Sequence, residues 1–289
     1  MSGLTGICVP ICTPFKDNGA SLDEKAFEAN VDSLLEKGIH IIAVNGGTGE
    51  FPFLSEAEKR RLAELASKRI DGKGKLIVQT SAIRTEDAIE NTKHAAGVGA
   101  DAALVLPPYF EGPGEDGVAW HYEQIARAAN IPLMVYNIPV YTQFDITPDV
   151  YSRLSKIDGV EYIKDSTANM QRIEQLAAQG AKVFNGCDFL NFYSLLAGAP
   201  GVFTGSGNAV PAQLVQIYDL VRANKITEAA PLWRRLVPIS NLLWTLPFNP
   251  VAKAASNMTG RPVGECRMPV PPLTPDQLKL VEKAVAAAG

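Results

Sequence analysis

The sequence predicts an α/β protein with a (β/α)8 TIM barrel and additional C-terminal helices. Short apolar runs alternate eight times with longer segments of helical periodicity, and the runs are nearly continuous in apolar character. Continuous apolar strands are expected where helices cover both faces of a parallel sheet. Eight such units close into a barrel, whereas an open doubly wound sheet more often has about five or six strands and a glycine-rich fingerprint. The first run leads into Thr13-Pro14-Phe15, which lacks that fingerprint.

The predicted elements follow one another along the chain. The strands are predicted at residues 7–12, 39–44, 76–80, 102–106, 133–136, 160–164, 182–185 and 201–204. The helices between and after them are predicted at residues 23–37, 59–70, 85–98, 118–129, 148–155, 170–178, 189–197 and 211–223. The sequence from Ser55 to Glu58 has a capping-box pattern, which marks the start of the second helix.

The domain organisation follows from these units. The length of 289 residues leaves one domain or two open, because α/β barrels of about 250 residues fold as one domain. We assign residues 1–223 to the catalytic barrel and residues 224–289 to a helical extension packed on it. Helical patterns occur in this extension at residues 226–244, 250–258 and 275–288. The proline-rich stretch 269–272 is predicted to be an ordered connector rather than a polyproline ligand for another protein.

The composition excludes several classes of protein. A hydrophobic content of 46% argues against disorder, and a net charge of -4 without a basic run argues against nucleic acid as a partner. The N-terminus lacks a signal-peptide pattern and no apolar run is long enough to span a membrane, so we expect a cytoplasmic protein. The four cysteines lack CxxC spacing and the three histidines lie far apart. We therefore expect buried free thiols, no metal site and no cofactor.

The catalytic residues of a barrel are expected where its strands end, because active sites lie at the C-terminal face. Lys164 ends the sixth predicted strand, and partial desolvation there favours the neutral amine that attacks a carbonyl. Tyr136 ends the neighbouring strand, and its phenol can move the protons of Schiff-base formation. A lysine paired with a carboxylate at the rim, and a tyrosine at the edge of the core, are the alternatives.

The turn from Gly46 to Glu50 follows the second predicted strand. It offers closely spaced backbone N–H groups and the hydroxyl of Thr48, which suit a small anion such as a carboxylate. No Lys-Ser/Thr pair follows its glycines, so it is not a Walker A loop. A plain tight turn is the alternative. Taken together, the amine, the phenol and the anion-binding turn predict a 2-oxo acid substrate.

Five motifs in order resemble those of the N-acetylneuraminate lyase and dihydrodipicolinate synthase superfamily of class I, pyruvate-type aldolases. They are residues 9–15, 46–50, 136–139, 163–166 and 249–253. The resemblance implies that Lys164 is the Schiff-base lysine, that Tyr136 shuttles protons, and that Gly47 and Thr48 bind the substrate carboxylate. It also implies a homotetramer built as a dimer of dimers. Further residues near the strand ends are candidate substrate-binding residues: Phe110, Tyr141, Asp188, Phe203 and Gly205.

Departures from the family pattern narrow the prediction. Dihydrodipicolinate synthases bind the carboxylate of their aldehyde substrate with an arginine, and Tyr141 stands at that position here. The synthases also relay protons through a threonine and a second tyrosine, where this chain has Gly47 and Phe110. Sialic acid lyases hold their sugar with an acidic pair, of which Asp188 matches the first acid and Phe189 replaces the second. A substrate shorter or less hydroxylated than sialic acid is therefore expected.

Several activities stay open at this point. The chain looks closest to members that act on 2-keto-3-deoxy sugar acids or 4-hydroxy-2-oxo acids. Aldol cleavage to pyruvate, or a related 2-oxo acid, and an aldehyde is our first prediction. Dehydration of a 2-keto-3-deoxy sugar acid through the same lysine is the second. A synthase-like condensation, and a non-catalytic protein that binds 2-oxo acids on the same scaffold, are further alternatives.

Overall fold

Eight parallel strands close into a barrel. The computed structural model describes residues 3–289. The barrel strands are β1 (Gly6–Pro10), β2 (Ile41–Val44), β3 (Lys75–Gln79), β4 (Ala102–Val105), β5 (Leu133–Asn137), β6 (Val160–Asp165), β7 (Lys182–Asn185) and β8 (Gly201–Phe203). Each strand pairs in parallel with the next, and β8 pairs with β1. The predicted fold class is therefore confirmed, and each predicted strand boundary lies within two residues of the observed one.

Helices follow the strands and then continue beyond the barrel. They are α1 (Glu24–Glu36), α2 (Glu56–Ile70), α3 (Thr85–Gly97), α4 (Gly114–Ala128), α5 (Pro139–Thr142), α6 (Pro148–Leu154), α7 (Met170–Ala178), α8 (Asn191–Leu196), α9 (Pro211–Arg222), α10 (Ile226–Thr245), α11 (Phe248–Met258) and α12 (Pro275–Ala288). The capping box at α2 is present: the Ser55 hydroxyl accepts from the Glu58 amide, and the Glu58 carboxylate accepts from the Ser55 amide.

Three local features differ from the sequence prediction. A hairpin of two-residue strands (Phe15–Lys16 and Ser21–Leu22) precedes α1, and the one-turn helix α5 follows β5. Helix α4 begins at Gly114, four residues before the predicted start at residue 118. Segments this short, and a polar first turn such as that of α4, carry no apolar periodicity, so the pattern did not predict them.

Strand alternation divides the core into two parts. One face of each strand points into the barrel, where a cluster of buried side chains includes Cys8, Ile41, Ile77, Leu104 and Met134. The other face packs against the surrounding helices in a larger, continuous cluster. The interior cluster includes Tyr136, which lies toward the C-terminal end of the strands. That end is the mouth of the barrel.

The C-terminal extension packs on the barrel and shares its core. Trp233, Leu236 and Val251 belong to the same buried cluster as the outward-facing strand residues. Arg261 donates to the backbone carbonyls of Asn208 and Ala209, which follow β8. Within residues 3–289, no helix combines the length and the apolar character needed to cross a membrane. The extension is thus continuous with the barrel core, and the division at residue 223 stays a prediction.

Candidate active site

Lys164 lies in the barrel wall at the mouth. It is directly paired with Tyr136 in the register of β5 and β6, so the two side chains stand beside each other. The residue is only 6% exposed. Its Nζ atom lies 3.9 Å from the centroid of the Tyr136 ring and 4.5 Å from that of the Phe203 ring. The amine is therefore held between two aromatic faces.

The amine of Lys164 has no carboxylate partner. No Asp or Glu oxygen of residues 3–289 lies within 4.0 Å of its Nζ, so the structure does not show the rim ion pair that the sequence left open. The neighbouring Asp165 instead accepts hydrogen bonds from Asn137, at 2.9 Å, and from Thr167. Burial raises the pKa of Asp165 above its ordinary value, although these hydrogen bonds oppose the shift.

The turn after β2 combines a tight backbone with free donors. The Glu50 amide donates to the carbonyl of Gly47 at 3.0 Å, and the Asn249 side chain donates to the same carbonyl at 3.0 Å. Within residues 3–289, the amides of Gly47, Thr48 and Gly49 donate to no acceptor, and neither does the Thr48 hydroxyl. The segment is therefore a tight turn that also presents unused donors, and its role in binding an anion stays a prediction.

A buried ion pair supports this turn from behind. Glu50 and Lys253 are both fully buried, and their charged atoms lie 2.7 Å apart. Lys253 also donates to the Glu265 carbonyl at 2.8 Å, and the second Glu50 oxygen accepts from the Arg267 amide at 2.9 Å. The motif that includes Lys253 was quoted for the resemblance, but sequence reasoning did not predict this pair. The partners are distant in sequence, and only the folded extension brings them together.

Asp188 holds a loop in place. Its Oδ1 accepts from the Thr204 hydroxyl at 2.7 Å and from the Ser206 amide at 2.8 Å. Its Oδ2 accepts from the Gly205 amide at 3.1 Å. The sequence analysis assigned Asp188 to substrate, whereas the structure shows both its oxygens engaged within the protein. Substrate binding by Asp188 stays an untested prediction.

Two glycines at the mouth leave room for neighbouring side chains. A Cβ atom on Gly205 would lie 2.5 Å from the Phe248 ring. A Cβ atom on Gly186 would overlap the Ser166 hydroxyl and lie 2.8 Å from Cε of Lys164. Gly205 was a predicted site residue, but Gly186 was not. Its position at the end of β7 was the available signal, and its contact with the lysine was not predictable.

The rim of the mouth carries exposed aromatic side chains and, after β4 to β8, no cationic ones. Phe110, which follows β4, is 86% exposed, and Tyr141 in α5 is 74% exposed. Phe110 has a φ of 83°, a left-handed conformation that is strained for a bulky residue. The loops at residues 106–113, 138–147, 166–169, 186–190 and 204–210 contain no Lys or Arg. The predicted residues at the rim thus offer no cation to a ligand.

Two buried polar residues of the mouth escaped the sequence analysis. The Ser166 hydroxyl and both amide atoms of Gln79 are buried without a hydrogen-bond partner among residues 3–289. Each residue lies two positions beyond an inward-facing residue of its strand, Lys164 for Ser166 and Ile77 for Gln79. Strand alternation was therefore a signal that could have found them.

The cysteines agree in part with the prediction. Cys8, Cys12 and Cys187 are buried free thiols, whereas Cys266 is partly exposed. Burial is the main cause that raises the pKa values of Cys12, Cys187 and Cys266 to about 12. Within residues 3–289, no group of three or more His, Cys, Asp or Glu side chains is arranged to hold a metal ion. We therefore assign these thiols no chemistry.

The chain was compared with known proteins. The dihydrodipicolinate synthetase family model matches residues 3–288. A 4-hydroxy-tetrahydrodipicolinate synthase of Syntrophobacter fumaroxidans is 36% identical over 274 residues, which cover 93% of this chain and 94% of the relative. Dihydrodipicolinate synthase from Aquifex aeolicus superimposes with a TM-score of 0.93 at 29% identity, covering 98% of this chain and 97% of the other. A monomeric dihydrodipicolinate synthase variant has a TM-score of 0.93 at 28% identity, covering 99% and 97%.

These similarities confirm the superfamily that the motifs resemble. They do not confirm the closer likeness to 2-keto-3-deoxy sugar acid aldolases, because the relatives carry the name of the synthase. The family model spans the barrel, its mouth and the helical extension together. The chain belongs to the dihydrodipicolinate synthetase family, whose members are lyase-type enzymes that work through a Schiff base.

Proposed function

We propose that this chain forms a Schiff base between Lys164 and a 2-oxo acid, and cleaves 4-hydroxy-2-oxo acids such as 2-keto-3-deoxy sugar acids. The products are pyruvate and an aldehyde. The observation that carries the proposal is the buried amine of Lys164, which has aromatic rings on two sides and no carboxylate partner among residues 3–289. An amine without a carboxylate partner, at the mouth of the barrel, is placed to attack a ketone that enters there.

Schiff-base formation follows from this geometry. The amine attacks the C2 carbonyl, the resulting carbinolamine loses water, and a cationic iminium forms on Nζ. The faces of Tyr136 and Phe203 stabilise that cation through their electron-rich surfaces. The free amides at Gly47 and Thr48, with the Thr48 hydroxyl, hold the substrate carboxylate. Substrate is thus fixed at two neighbouring carbons.

Carbon–carbon cleavage then uses the iminium as an electron sink. The C4 hydroxyl loses its proton, the C3–C4 bond breaks, and its electron pair moves to the iminium to give an enamine and a free aldehyde. Protonation at C3 and hydrolysis by water release pyruvate and regenerate Lys164. The phenol of Tyr136 is the titratable group paired with the lysine in the sheet register, so it carries these protons.

The rim indicates the kind of aldehyde. A carboxylate on the aldehyde would need a positive partner, and the loops that follow β4 to β8 contain no Lys or Arg. Phe110 and Tyr141 are exposed there instead. These residues favour an aldehyde without a carboxylate of its own.

Synthesis of 4-hydroxy-tetrahydrodipicolinate is the second candidate function. Relatives with 36% and 34% identity carry that name, and each matches 93% of this chain. The reaction uses the same lysine, but its dicarboxylate product requires an aldehyde that carries a carboxylate. The lack of Lys and Arg in the loops after β4 to β8 supports ranking this function second.

A substrate panel tests the proposal. The purified protein is incubated with 2-keto-3-deoxy acids and 4-hydroxy-2-oxo acids, and released pyruvate is measured; in parallel it receives pyruvate with aspartate semialdehyde. We expect pyruvate release from the first set and slow consumption of the second pair. Rapid condensation without cleavage would favour the synthase. A product of water loss without pyruvate would favour the dehydratase, and either result would overturn the proposal.

The homotetramer also stays a proposal. Family resemblance suggests it, but one structure similar to this chain is a monomeric variant. Sedimentation of the purified protein would distinguish the two, since a tetramer of this 31.0 kDa chain has about four times the monomer mass.

A further inference from the structure

Gln79 places a carboxamide inside the barrel. It is the last residue of β3, two positions after Ile77, whose side chain belongs to the interior cluster. Strand alternation therefore directs Gln79 to the same inner face, one layer nearer the mouth. The residue is 5% exposed, although a glutamine is ordinarily a surface residue.

The carboxamide is unpaired. Neither Oε1 nor Nε2 of Gln79 has a hydrogen-bond partner within residues 3–289, and both atoms are shielded from solvent. Burying such a group without partners is unfavourable for folding. Unpaired buried polar groups in native structures are rare, and they commonly mark a position that a ligand or an ordered water completes.

The surroundings of Gln79 identify the ligand. Its Oε1 lies 3.8 Å from where a Cβ atom of Gly46 would stand. Gly46 opens the turn whose next residues, Gly47 and Thr48, present unused amides and a hydroxyl. The carboxamide therefore lies beside the donors assigned to the substrate carboxylate, and the Nε2 group adds two further N–H donors there.

We propose that Gln79 is a further binding residue for the carboxylate of the 2-oxo acid, and this inference rests on the proposed function. A carboxylate has two oxygens and accepts several hydrogen bonds, so the amides of the turn leave capacity for one more donor. Arg84, in the loop after β3, is paired with Glu86 and Asp87 at the surface, so the neutral donors of the turn and of Gln79 are the groups placed to bind the carboxylate. The amide of Gln79 turns toward the anion when the ligand enters.

Trapping of the Lys164 imine with borohydride measures the effect. Two probes are used, pyruvate and methyl pyruvate, which share the ketone but differ in the negative charge. The half-saturating concentration of each probe is determined for the wild type, Gln79→Leu and Gln79→Glu. We expect Gln79→Leu to need about 10- to 100-fold more pyruvate, as loss of a hydrogen bond to a charged group predicts. The half-saturating concentration of methyl pyruvate should change little. Gln79→Glu should raise that of pyruvate further, because the two negative charges repel each other.

Stability and a matched control separate binding from a structural role. Leucine removes two unpaired polar atoms, so the Tm of Gln79→Leu should equal or exceed that of the wild type. Thr80→Val changes the next residue, whose hydroxyl lies 2.8 Å from that of Thr92 outside the barrel interior. It should lower Tm and leave the ratio between the two probes unchanged.

The outcomes are distinct. An unchanged ratio between the probes in Gln79→Leu, or a lower Tm with both probes affected equally, would overturn the role of Gln79. Absence of any pyruvate adduct on the wild type would instead overturn the proposed function itself.

Discussion

The two ends of the barrel interior treat buried polar groups in opposite ways. In the lower half, Leu4, Ile41 and Ala102 fill the space, and the phenol of Tyr162 accepts a hydrogen bond from the Leu4 amide at 3.1 Å. At the mouth, by contrast, the amine of Lys164 lacks a carboxylate, and several donors and acceptors lack partners within residues 3–289. Both ends belong to one closed sheet of parallel strands. The strands begin at the lower end, and the residues that follow them line the mouth.

This difference distinguishes residues that stabilise the fold from residues that await a ligand. An unpaired buried polar group costs about 1–3 kcal/mol, so a sequence selected only for stability would not collect several in one place. The lower half follows the rule that buried polar atoms are paired. Around Lys164, by contrast, the mouth contains buried polar atoms without partners. Such exceptions are expected at this end if it binds substrate.

The same substitution made at both ends should give the sharpest contrast. Tyr136→Phe removes the phenol beside Lys164, and we expect turnover to fall about 10²- to 10⁴-fold with the fold intact, because proton transfer loses its group. Tyr162→Phe removes a phenol in the lower half and should cost about 1 kcal/mol of stability with activity retained. Steady-state kinetics and thermal unfolding of both variants check this. Near-normal turnover of Tyr136→Phe would show that another group moves the proton.

The ion pair behind the turn should be the mouth's largest contribution to stability. Lys253→Met leaves Glu50 charged, buried and without its cation, so the free energy of unfolding should fall by about 3–5 kcal/mol. Lys182→Met, which breaks an exposed pair with Glu161 at the opposite end of the barrel, should cost less than about 1 kcal/mol. Urea denaturation measures both. Equal losses would mean that burial of the pair does not matter.

The buried histidine His121, which lies outside the mouth, should make the folded protein less stable in acid. His121 in α4 is buried, its Nε2 has no partner within residues 3–289, and burial lowers its pKa to about 4. As pH falls below about 6.5, His121 becomes protonated in the unfolded chain but stays neutral in the folded protein. The free energy of unfolding should therefore decline toward pH 4, by about 3 kcal/mol in all. His121→Asn should flatten this decline in a series of Tm measurements. If the Tm of His121→Asn declined with pH as steeply as that of the wild type, groups other than His121 would cause the acid sensitivity.

The space around the lysine should tolerate no added methyl group. Gly186→Ala places a Cβ atom against Ser166 and Lys164, so we expect about 1–3 kcal/mol of destabilisation together with slower Schiff-base formation. Gly97→Ala is the matched control, because Gly97 lies in α3 and, outside its own helix, no atom of the part of the chain that the structure describes lies within 4 Å of its Cβ position. It should be neutral or slightly stabilising. Equal stability and equal rates of Schiff-base formation in the two variants would show that the close contact at Gly186 affects neither property.

The fold was largely predictable from the sequence, and the site only in part. Continuous apolar runs predicted all eight strands, and their ends located Lys164 and Tyr136, because a parallel barrel gathers strand ends at one face. Substrate binding by Asp188 stays a prediction, whereas its hydrogen bonds with Thr204 and Gly205, in another loop, were not predicted. Contacts between distant segments leave no local pattern.

The unpaired groups at the mouth mark the other limit of sequence reasoning. Glutamine is ordinarily a surface residue, and only the closed barrel shows that Gln79 is buried without a partner among residues 3–289. The ion pair between Glu50 and Lys253 is likewise a product of the folded extension. Alternation along β3 and β6 predicts which way Gln79 and Ser166 face, but not what surrounds them.

Borohydride reduction in the presence of pyruvate tests the central claim most directly. The wild-type protein is reduced with pyruvate, digested and analysed by mass spectrometry, with Lys164→Arg as the matched variant. We predict one pyruvate-derived adduct, on the peptide that contains Lys164, and none on the variant. No adduct on Lys164, or equal labelling of another lysine in both proteins, would contradict the account.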